Sequence, residues 1–420
     1  MTAKVGAPFG WKGGHATFGR MMRLPLLLLM SCWAALLGAQ PQLSDSSTLS
    51  LMTVAPGDAV YSYFGHSALR VRDPHTRLDR CYNYGTFEFD QPNFLLKFCR
   101  GKLLYMLDTE PYRAFEYGNL RDRRSMQEQI LNLNREQRQA IFNFLENNAL
   151  PDNRSYKYDF FYDNCATRIR DAVNASLEYR LRYDSSALHR PQTMRQLLRP
   201  YLTEHPWTQF GIDLVLGASA DRVANAEDFM FLPDYVHHLF AKAAIDGSTP
   251  LVKAERQIPP QPFPRLQMPA GLFSSPLWVM VLVAVLGLLS MGNLRLERIF
   301  DTIFWLVLGV AGLIMALLWF ATDHSATKYN LNLMWALPTH LLFFWRRTRT
   351  EVTEIYFTAV AILAAIALAF WKFLPQELPL AAMPLAALVV VKGMWRHWKR
   401  KSGPNAKAGA DDDTDSAFED

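Results

Sequence analysis

Cysteine is scarce in this chain and its basic residues form no stripe, and both absences exclude classes of function. Only 4 cysteines occur in 420 residues, so a disulfide-dense scaffold is excluded. The histidines lack the spacing with Cys, Asp or Glu that a metal site requires, and we expect no metal and no other cofactor. The net charge of +5 is not accompanied by basic residues interleaved with aromatics in the soluble part, so we expect no nucleic-acid partner.

Apolar residues make up half of the chain and concentrate at its two ends. Residues 1–39 carry arginines at positions 20 and 23, then an apolar run, then the small residues Gly38 and Ala39. This order predicts a secretory signal peptide that is cleaved near Ala39, with Met21 or Met22 as an alternative true start. The mature protein is therefore expected to begin outside the cytoplasm.

The carboxyl-terminal half contains five apolar segments, at residues 276–290, 299–320, 331–345, 356–371 and 378–391. The third is doubtful by hydropathy alone because it contains Pro338 and His340. Five crossings would place the basic clusters that follow spans one, three and five in the cytoplasm. We therefore predict a five-helix transmembrane domain over residues 271–395 and a cytoplasmic tail over residues 396–420, in a bacterial inner (cytoplasmic) membrane.

Between the signal and the spans, strand patterns are followed by helical patterns, which predicts an α+β periplasmic domain over residues 40–246. Residues 247–270 contain six prolines and predict a stiff linker. Two cysteines of this domain, Cys81 and Cys99, are interpreted either as a disulfide or as two unpaired thiols.

A histidine and a cysteine far apart in the chain have the clearest chemical meaning. His66 begins a predicted strand on which Arg70 and Arg72 face outward. Asn164 is a good N-cap, so Cys165 falls in the first turn of the next predicted helix. There the helix dipole and the free N–H groups favour the thiolate. The pattern predicts a thiol site with Cys165 as nucleophile and His66 as base.

Five motifs occur in order through the soluble part: Tyr63-Phe64-Gly65-His66-Ser67-Ala68-Leu69-Arg70, Tyr82-Asn83-Tyr84-Gly85, Pro92-Asn93-Phe94, Leu131-Asn132-Leu133 and Asp163-Asn164-Cys165-Ala166-Thr167-Arg168. They resemble the periplasmic domain of Lnb-type lipoprotein N-acyltransferases over roughly residues 50–240, and the resemblance continues weakly at Lys328-Tyr329-Asn330-Leu331-Asn332. It implies a circularly permuted, NlpC-like papain fold. The expected fold class is therefore an α+β permuted papain-like periplasmic domain followed by an all-α polytopic membrane domain of five helices.

A thiol and imidazole pair needs a third group that orients the imidazole. Asn83 is our choice, because it lies on the next predicted strand and its amide oxygen accepts a hydrogen bond. Asp73, His75 and Asp79 are rivals, and a structural turn role for Asn83 stays open.

Two further site groups are predicted around the thiol. The Tyr63 hydroxyl, with the N–H of Cys165, is a candidate oxyanion donor, and Asn164 supports the site as the helix cap. On the predicted outer loop between the second and third spans, His324 and Lys328 are interpreted either as solvated helix caps or as contacts to a lipid headgroup or ester.

The predicted membrane domain narrows the range of reactions that we expect of such a site. The resemblance implies a membrane lipid as acyl donor and the amino-terminal lipidated cysteine of a lipoprotein as acceptor, by two steps through a Cys165 thioester. Two other hypotheses remain: a membrane-anchored cysteine peptidase or amidase acting on cell-wall peptides, and a non-catalytic envelope assembly protein.

Overall fold

The computed structural model describes residues 41–184, 186, 188, 190–259, 261, 263, 271–343 and 351–401, with the backbone alone at residues 272 and 399–401. The predicted signal peptide lies outside these residues. So do most of the predicted tail, the end of the third apolar segment and most of residues 260–270.

The amino-terminal region is built on a seven-stranded antiparallel sheet. Its strands are β1 (Thr48–Val54), β2 (His66–Asp73), β3 (Leu78–Thr86), β4 (Leu104–Pro111), β5 (Met126–Leu131), β6 (Ser155–Lys157) and, numbered in chain order, β10 (Val252–Ile258). They run in the order β10-β5-β1-β2-β3-β4-β6. A small second sheet contains β7 (Leu181–Arg182), β8 (Ala244–Ile245) and β9 (Thr249–Pro250).

Eight helices accompany the sheets in the described part of this region: α1 (Phe94–Cys99), α2 (Tyr112–Arg121), α3 (Arg135–Ala149), α4 (Cys165–Ser176), α5 (Met194–Leu202), α6 (Pro206–Val215), α7 (Ala226–Phe229) and α8 (Pro233–Lys242). Apolar side chains of α3, α4 and α8 form one core with β1, β2 and β3. The apolar side of α2 packs with Met52 and Ala68 in a second core. Helices therefore cover both faces of the central strands.

The double coverage corrects one sequence-based expectation. Arg70 is buried, and it pairs with Asp79 at 2.7 Å and with Glu128 at 3.1 Å. Its guanidinium lies 3.3 Å from the centre of the Tyr112 ring. The prediction that Arg70 faces outward is wrong because α2 covers that side of β2, whereas Arg72 is exposed as predicted.

The linker prediction is also wrong for part of its range. Residues 252–258 form β10, which pairs antiparallel with β5 at the sheet edge. The Gln129 amide donates to the Glu255 carboxylate at 2.7 Å across this pair. Five of the six prolines that suggested a linker follow Ile258, so their effect on chain conformation begins only after the strand.

The carboxyl-terminal region is helical. Its described helices are α9 (Pro276–Ser290), α10 (Leu294–Phe320), α11 (His340–Phe343), α12 (Glu351–Ala369) and α13 (Met383–Lys401). Of these, α10 and α12 are long and apolar enough to cross a membrane. In the described part of the third apolar segment, a 3₁₀ turn at Leu331–Met334 precedes Pro338, so residues 331–343 form no single continuous helix. Helix α13 continues to Lys401, past the predicted start of the tail at residue 396.

Buried ion pairs between side chains join helices of this region. Lys392 pairs with Asp301 at 2.8 Å and donates to the Ser290 hydroxyl at 2.9 Å. Arg396 reaches the same Asp301 carboxylate at 3.1 Å. Because an unpaired charge is costly in an apolar setting, these contacts hold α9, α10 and α13 together.

Candidate active site

Cys165 is the first residue of α4, as the sequence predicts. The Asn164 side chain accepts hydrogen bonds from the N–H of Ala166 at 2.8 Å and of Thr167 at 3.0 Å. The Thr167 hydroxyl accepts in return from the N–H of Asn164 at 2.8 Å, which completes a capping box. The Asn164 amide also donates to the Phe231 carbonyl at 2.8 Å. Asn164 therefore fixes the position at which the helix and its thiol begin.

The predicted orienting residue lies beside the histidine. His66 Nε2 and the Asn83 amide oxygen are 3.3 Å apart, and the Asn83 amide nitrogen donates to Glu110 Oε1 at 2.9 Å. The rival Asp73 lies at the other end of β2, where it accepts from Ser44. The rival Asp79 is engaged by an arginine, as described above. The geometry thus favours Asn83, with Glu110 as a further partner behind it.

The thiol lies where β2, β3 and α4 converge. The N–H groups of Ser67, Ala166 and Cys165 itself act on the thiol and favour its ionised form. A Cβ at Gly85 would lie 3.4 Å from the Cys165 Cβ, and Gly85 has a φ of +88°. Glycine is therefore suited to the close passage of β3 past the cysteine. Cys165 is partly exposed, whereas the other thiols are buried (Cys81) or exposed (Cys99) and unpaired.

The electrostatics of the pair differ from the predicted thiolate. Burial lowers the pKa of His66 to about 4; the charge of Arg124 acts in the same direction, and the hydrogen bond with Asn83 opposes both. Burial raises the pKa of the Cys165 thiol, although the N–H groups and Arg124 oppose the change. The N–H groups at the helix start favour the thiolate, as predicted, but desolvation outweighs them, so the thiol pKa is raised. Both groups are neutral at rest.

A tyrosine other than the predicted one lies at the thiol. The ring of Tyr63 stacks on His205 at 4.0 Å, and both line a cavity of about 360 Å³ together with Tyr201. Tyr156, by contrast, interacts electrostatically with Cys165, and its buried hydroxyl oxygen accepts from the backbone N–H of Gly85, which leaves the O–H able to donate. Burial raises its pKa, so the hydroxyl keeps its proton. Tyr156 is therefore better placed than Tyr63 to donate to an oxyanion near Cys165.

Sequence reasoning missed three residues of this site. Tyr156 opens an aromatic run before the cysteine, which was a usable signal. The sequence carries no such signal for Arg124 or Glu110, because each reaches the site through tertiary contacts between distant parts of the chain. One nitrogen of Arg124, Nη2, is buried without a partner among the described residues. In the same part of the chain, no group of three His, Cys, Asp or Glu side chains is arranged to hold a metal ion.

The two outer-loop candidates contact protein atoms. Lys328 donates to the carbonyls of Trp319 at 2.6 Å and Thr322 at 2.7 Å, so its charge caps the end of α10. His324 Nε2 is 3.2 Å from the Phe98 carbonyl oxygen. These two hydrogen bonds favour the helix-cap interpretation of Lys328 over a lipid contact.

The same loop docks on the amino-terminal domain. The Asn330 amide donates to the Leu214 carbonyl at 2.7 Å, and the Ala218 N–H donates to the Tyr329 carbonyl at 3.1 Å. A Cβ at Gly217 would come within 1.8 Å of the Lys328 carbonyl oxygen, so only glycine fits there. The loop therefore connects the membrane domain to the amino-terminal domain through direct contacts.

Two family models match the chain. The Lnb N-terminal periplasmic domain matches residues 42–200, and the Lnb transmembrane domain matches residues 269–402. The chain belongs to the Lnb family of lipoprotein N-acyltransferases. Neither the curated proteins nor the solved structures contain a match. In this Lnb protein the sheet-rich region is the periplasmic domain of an inner-membrane protein, and the helical region is its membrane domain.

Proposed function

We propose that this Lnb protein moves a fatty acyl group from a membrane lipid to the amino-terminal lipidated cysteine of lipoproteins, with Cys165 as the nucleophile. The observation that supports the proposal is a partly exposed thiol beside three backbone N–H groups, one of which belongs to Ser67, the neighbour of the His66 that contacts Asn83. These are the parts of a thiol acyl-transfer site.

In the first half-reaction, the Cys165 sulfur attacks the carbonyl carbon of a lipid ester. His66, neutral at rest, takes the thiol proton as the new S–C bond forms and gives it to the departing alcohol oxygen as the C–O bond breaks. Asn83 holds the imidazole through Nε2, which leaves Nδ1 for the proton. The N–H groups at the thiol and the Tyr156 hydroxyl stabilise the negative oxygen of the intermediate.

In the second half-reaction, the free α-amine of the lipoprotein attacks the thioester. An amide bond forms, the C–S bond breaks, and His66 passes the amine proton to the departing sulfur. No oxidant, metal or nucleotide enters this balance. A cell-wall peptidase would use the same groups but would need no long-chain thioester.

We test this with purified enzyme in nanodiscs that contain donor lipid and no acceptor. A fatty-acyl mass on the Cys165 peptide is expected, with release by neutral hydroxylamine and by an apolipoprotein that has a free terminal amine. Cys165→Ala should abolish the adduct and Cys81→Ala, which removes a buried thiol outside the site, should keep it. N-acylation that continues without any adduct would refute the two-step route, and an adduct that never transfers would indicate a lipid hydrolase.

We also propose the finer organisation of the molecule. The signal peptide ends near Ala39, the region matched by the Lnb transmembrane domain crosses the membrane five times, and the carboxyl terminus is cytoplasmic. The order of β2 before α4 is that of a permuted papain-like fold. An impermeant thiol reagent should label His324→Cys from outside and fail to label Arg298→Cys or Trp398→Cys. Labelling of position 398 from outside would contradict the five crossings.

A further inference from the structure

An apolar surface lies between β3 and β4. Phe89 is 72% exposed, Leu95 70%, and Leu96 and Phe98 about half. Phe94 joins these side chains, with ring centres 5.4 Å from Phe89 and 6.3 Å from Phe98. Exposed apolar side chains grouped in this way indicate a binding surface, because soluble surfaces rarely leave such a group in water.

This surface touches the end of a membrane-crossing helix. The N–H of Asp323, just after α10, donates to the Arg100 carbonyl at 2.9 Å. A Cβ at Gly101 would lie 3.2 Å from the backbone nitrogen of His324. At the end of α10, Phe320 is 74% exposed. The carboxyl end of α1 is therefore held against the residues that follow the membrane-crossing helix α10.

A row of aromatic rings leads from this surface toward the thiol. Ring centres are 5.8 Å apart for Phe94 and Phe87, 5.1 Å for Phe87 and Tyr105, and 4.3 Å for Tyr105 and Tyr158. The row ends near the site, because Tyr158 and Cys165 pack against the same core cluster, and Phe87 lies two residues after Gly85, where a Cβ would be 3.4 Å from the Cys165 Cβ. All four rings are partly exposed. We call Phe94, Phe87, Tyr105 and Tyr158 the aromatic row.

We propose that the aromatic row is the binding surface for the donor's fatty acyl chain and guides it from the outer leaflet to Cys165. The inference rests on the proposed function and adds the location of the chain. A lipid is favoured over a protein partner because the carboxyl end of α1 is bonded to the segment that directly follows α10, a helix long and apolar enough to cross a membrane. Lys97, Arg100 and Lys102 lie among the apolar side chains, an arrangement typical of segments that enter the headgroup region and contact lipid phosphates.

The test is photo-crosslinking of the full-length Cys165→Ala protein in nanodiscs of phosphatidylethanolamine and phosphatidylglycerol. One phospholipid carries a diazirine near the end of an acyl chain. Crosslinks are expected on peptides that contain Phe87, Phe94 or Tyr105, in addition to the membrane helices. Crosslinks confined to α9–α13 would overturn the proposal. Because the variant lacks the nucleophile, this result does not depend on the thioester chemistry.

The effect of a substitution on crosslinking and on the rate of thioester formation tests the same surface. Phe94→Ser, with Cys165 intact, should reduce the row crosslinks and slow thioester formation at low lipid concentration by about tenfold, because it removes most of one aromatic contact. Tyr117→Ser changes an exposed aromatic residue of α2, beyond the far end of β4, and should leave both measurements unchanged. Equal effects of the two substitutions would refute a specific role of the row. Normal crosslinking without thioester formation would refute the proposed function alone.

Discussion

Acidification should leave the first half-reaction almost unaffected until the pH approaches 4. The proposed base, His66, has its pKa lowered to about 4 by burial and by the charge of Arg124. A lowered pKa means that the imidazole stays neutral, and able to accept a proton, at pH values where an ordinary histidine is charged. The acid limb of the rate profile should therefore be displaced downward.

The expected displacement of the acid limb is large enough to distinguish a lowered His66 pKa from an ordinary one. At pH 5.5 a histidine with a pKa near 4 is about 97% neutral, whereas one with the ordinary pKa of about 6.5 is about 9% neutral. Between pH 8 and 5.5 the neutral fraction of His66 should thus remain nearly constant. The neutral fraction of a histidine with the ordinary pKa would fall about tenfold over the same range. The thiol pKa is raised, so Cys165 remains protonated over this range and adds no acid limb.

The assay is single-turnover thioester formation in nanodiscs, quenched and read by mass spectrometry from pH 4.5 to 8. Arg124→Gln should raise the pKa of His66 and move the acid limb upward, while Arg113→Gln, an exposed arginine of α2, should not move it. An acid limb between pH 6 and 7 in the unmodified enzyme would refute the lowered pKa of His66. Such a result would indicate a base with the ordinary pKa of histidine.

Three further substitutions test single residues. Asn83→Ala should slow acylation by about 10²-fold in the same assay, because the orienting group is lost but the base remains; an unchanged rate would remove Asn83 from the site. Tyr156→Phe should lower kcat by about 10²-fold with little change in KM, as loss of one oxyanion donor does, and equal changes in both would argue for a binding role. Arg195 is buried between Asp213 at 3.2 Å and Asp221 at 2.8 Å. Arg195→Met leaves these carboxylates unpaired and should lower the free energy of unfolding by about 3–5 kcal/mol. An unchanged thermal unfolding temperature would contradict this.

The parts of the site that sequence predicted were those with local signals. Cys165 follows an N-cap residue, and the cap geometry depends on only a few neighbouring positions. His66 and Asn83 lie on strands joined by a short turn, so their proximity follows from hairpin pairing. In each case the contact that matters is encoded within a short stretch of chain.

The missed parts depend on contacts between distant elements. Glu110 reaches Asn83 only because β4 pairs with β3 after a long excursion through α1. The thiol pKa was misjudged because the helix start is visible in the sequence, whereas the burial that outweighs it arises from tertiary packing. β10 was missed because its pairing with β5 joins residues far apart in the chain, next to prolines that predict irregular structure.

The contacts between domains bear on how lipid reaches the thiol. Asp159, in the loop before α4, accepts from the N–H of Phe161 at 2.9 Å and from the Ser325 hydroxyl of the outer loop at 2.5 Å. The Ser219 hydroxyl donates to the Ser325 carbonyl at 2.9 Å. The cysteine loop is therefore bonded directly to the segment that follows α10, which fixes the thiol relative to the end of that helix. If Cys165 takes its acyl group from a membrane lipid, as proposed, the ester has to reach a thiol that is held in this position. The energetic cost of drawing an acyl chain out of lipid is reduced only if apolar protein surface covers it along the route.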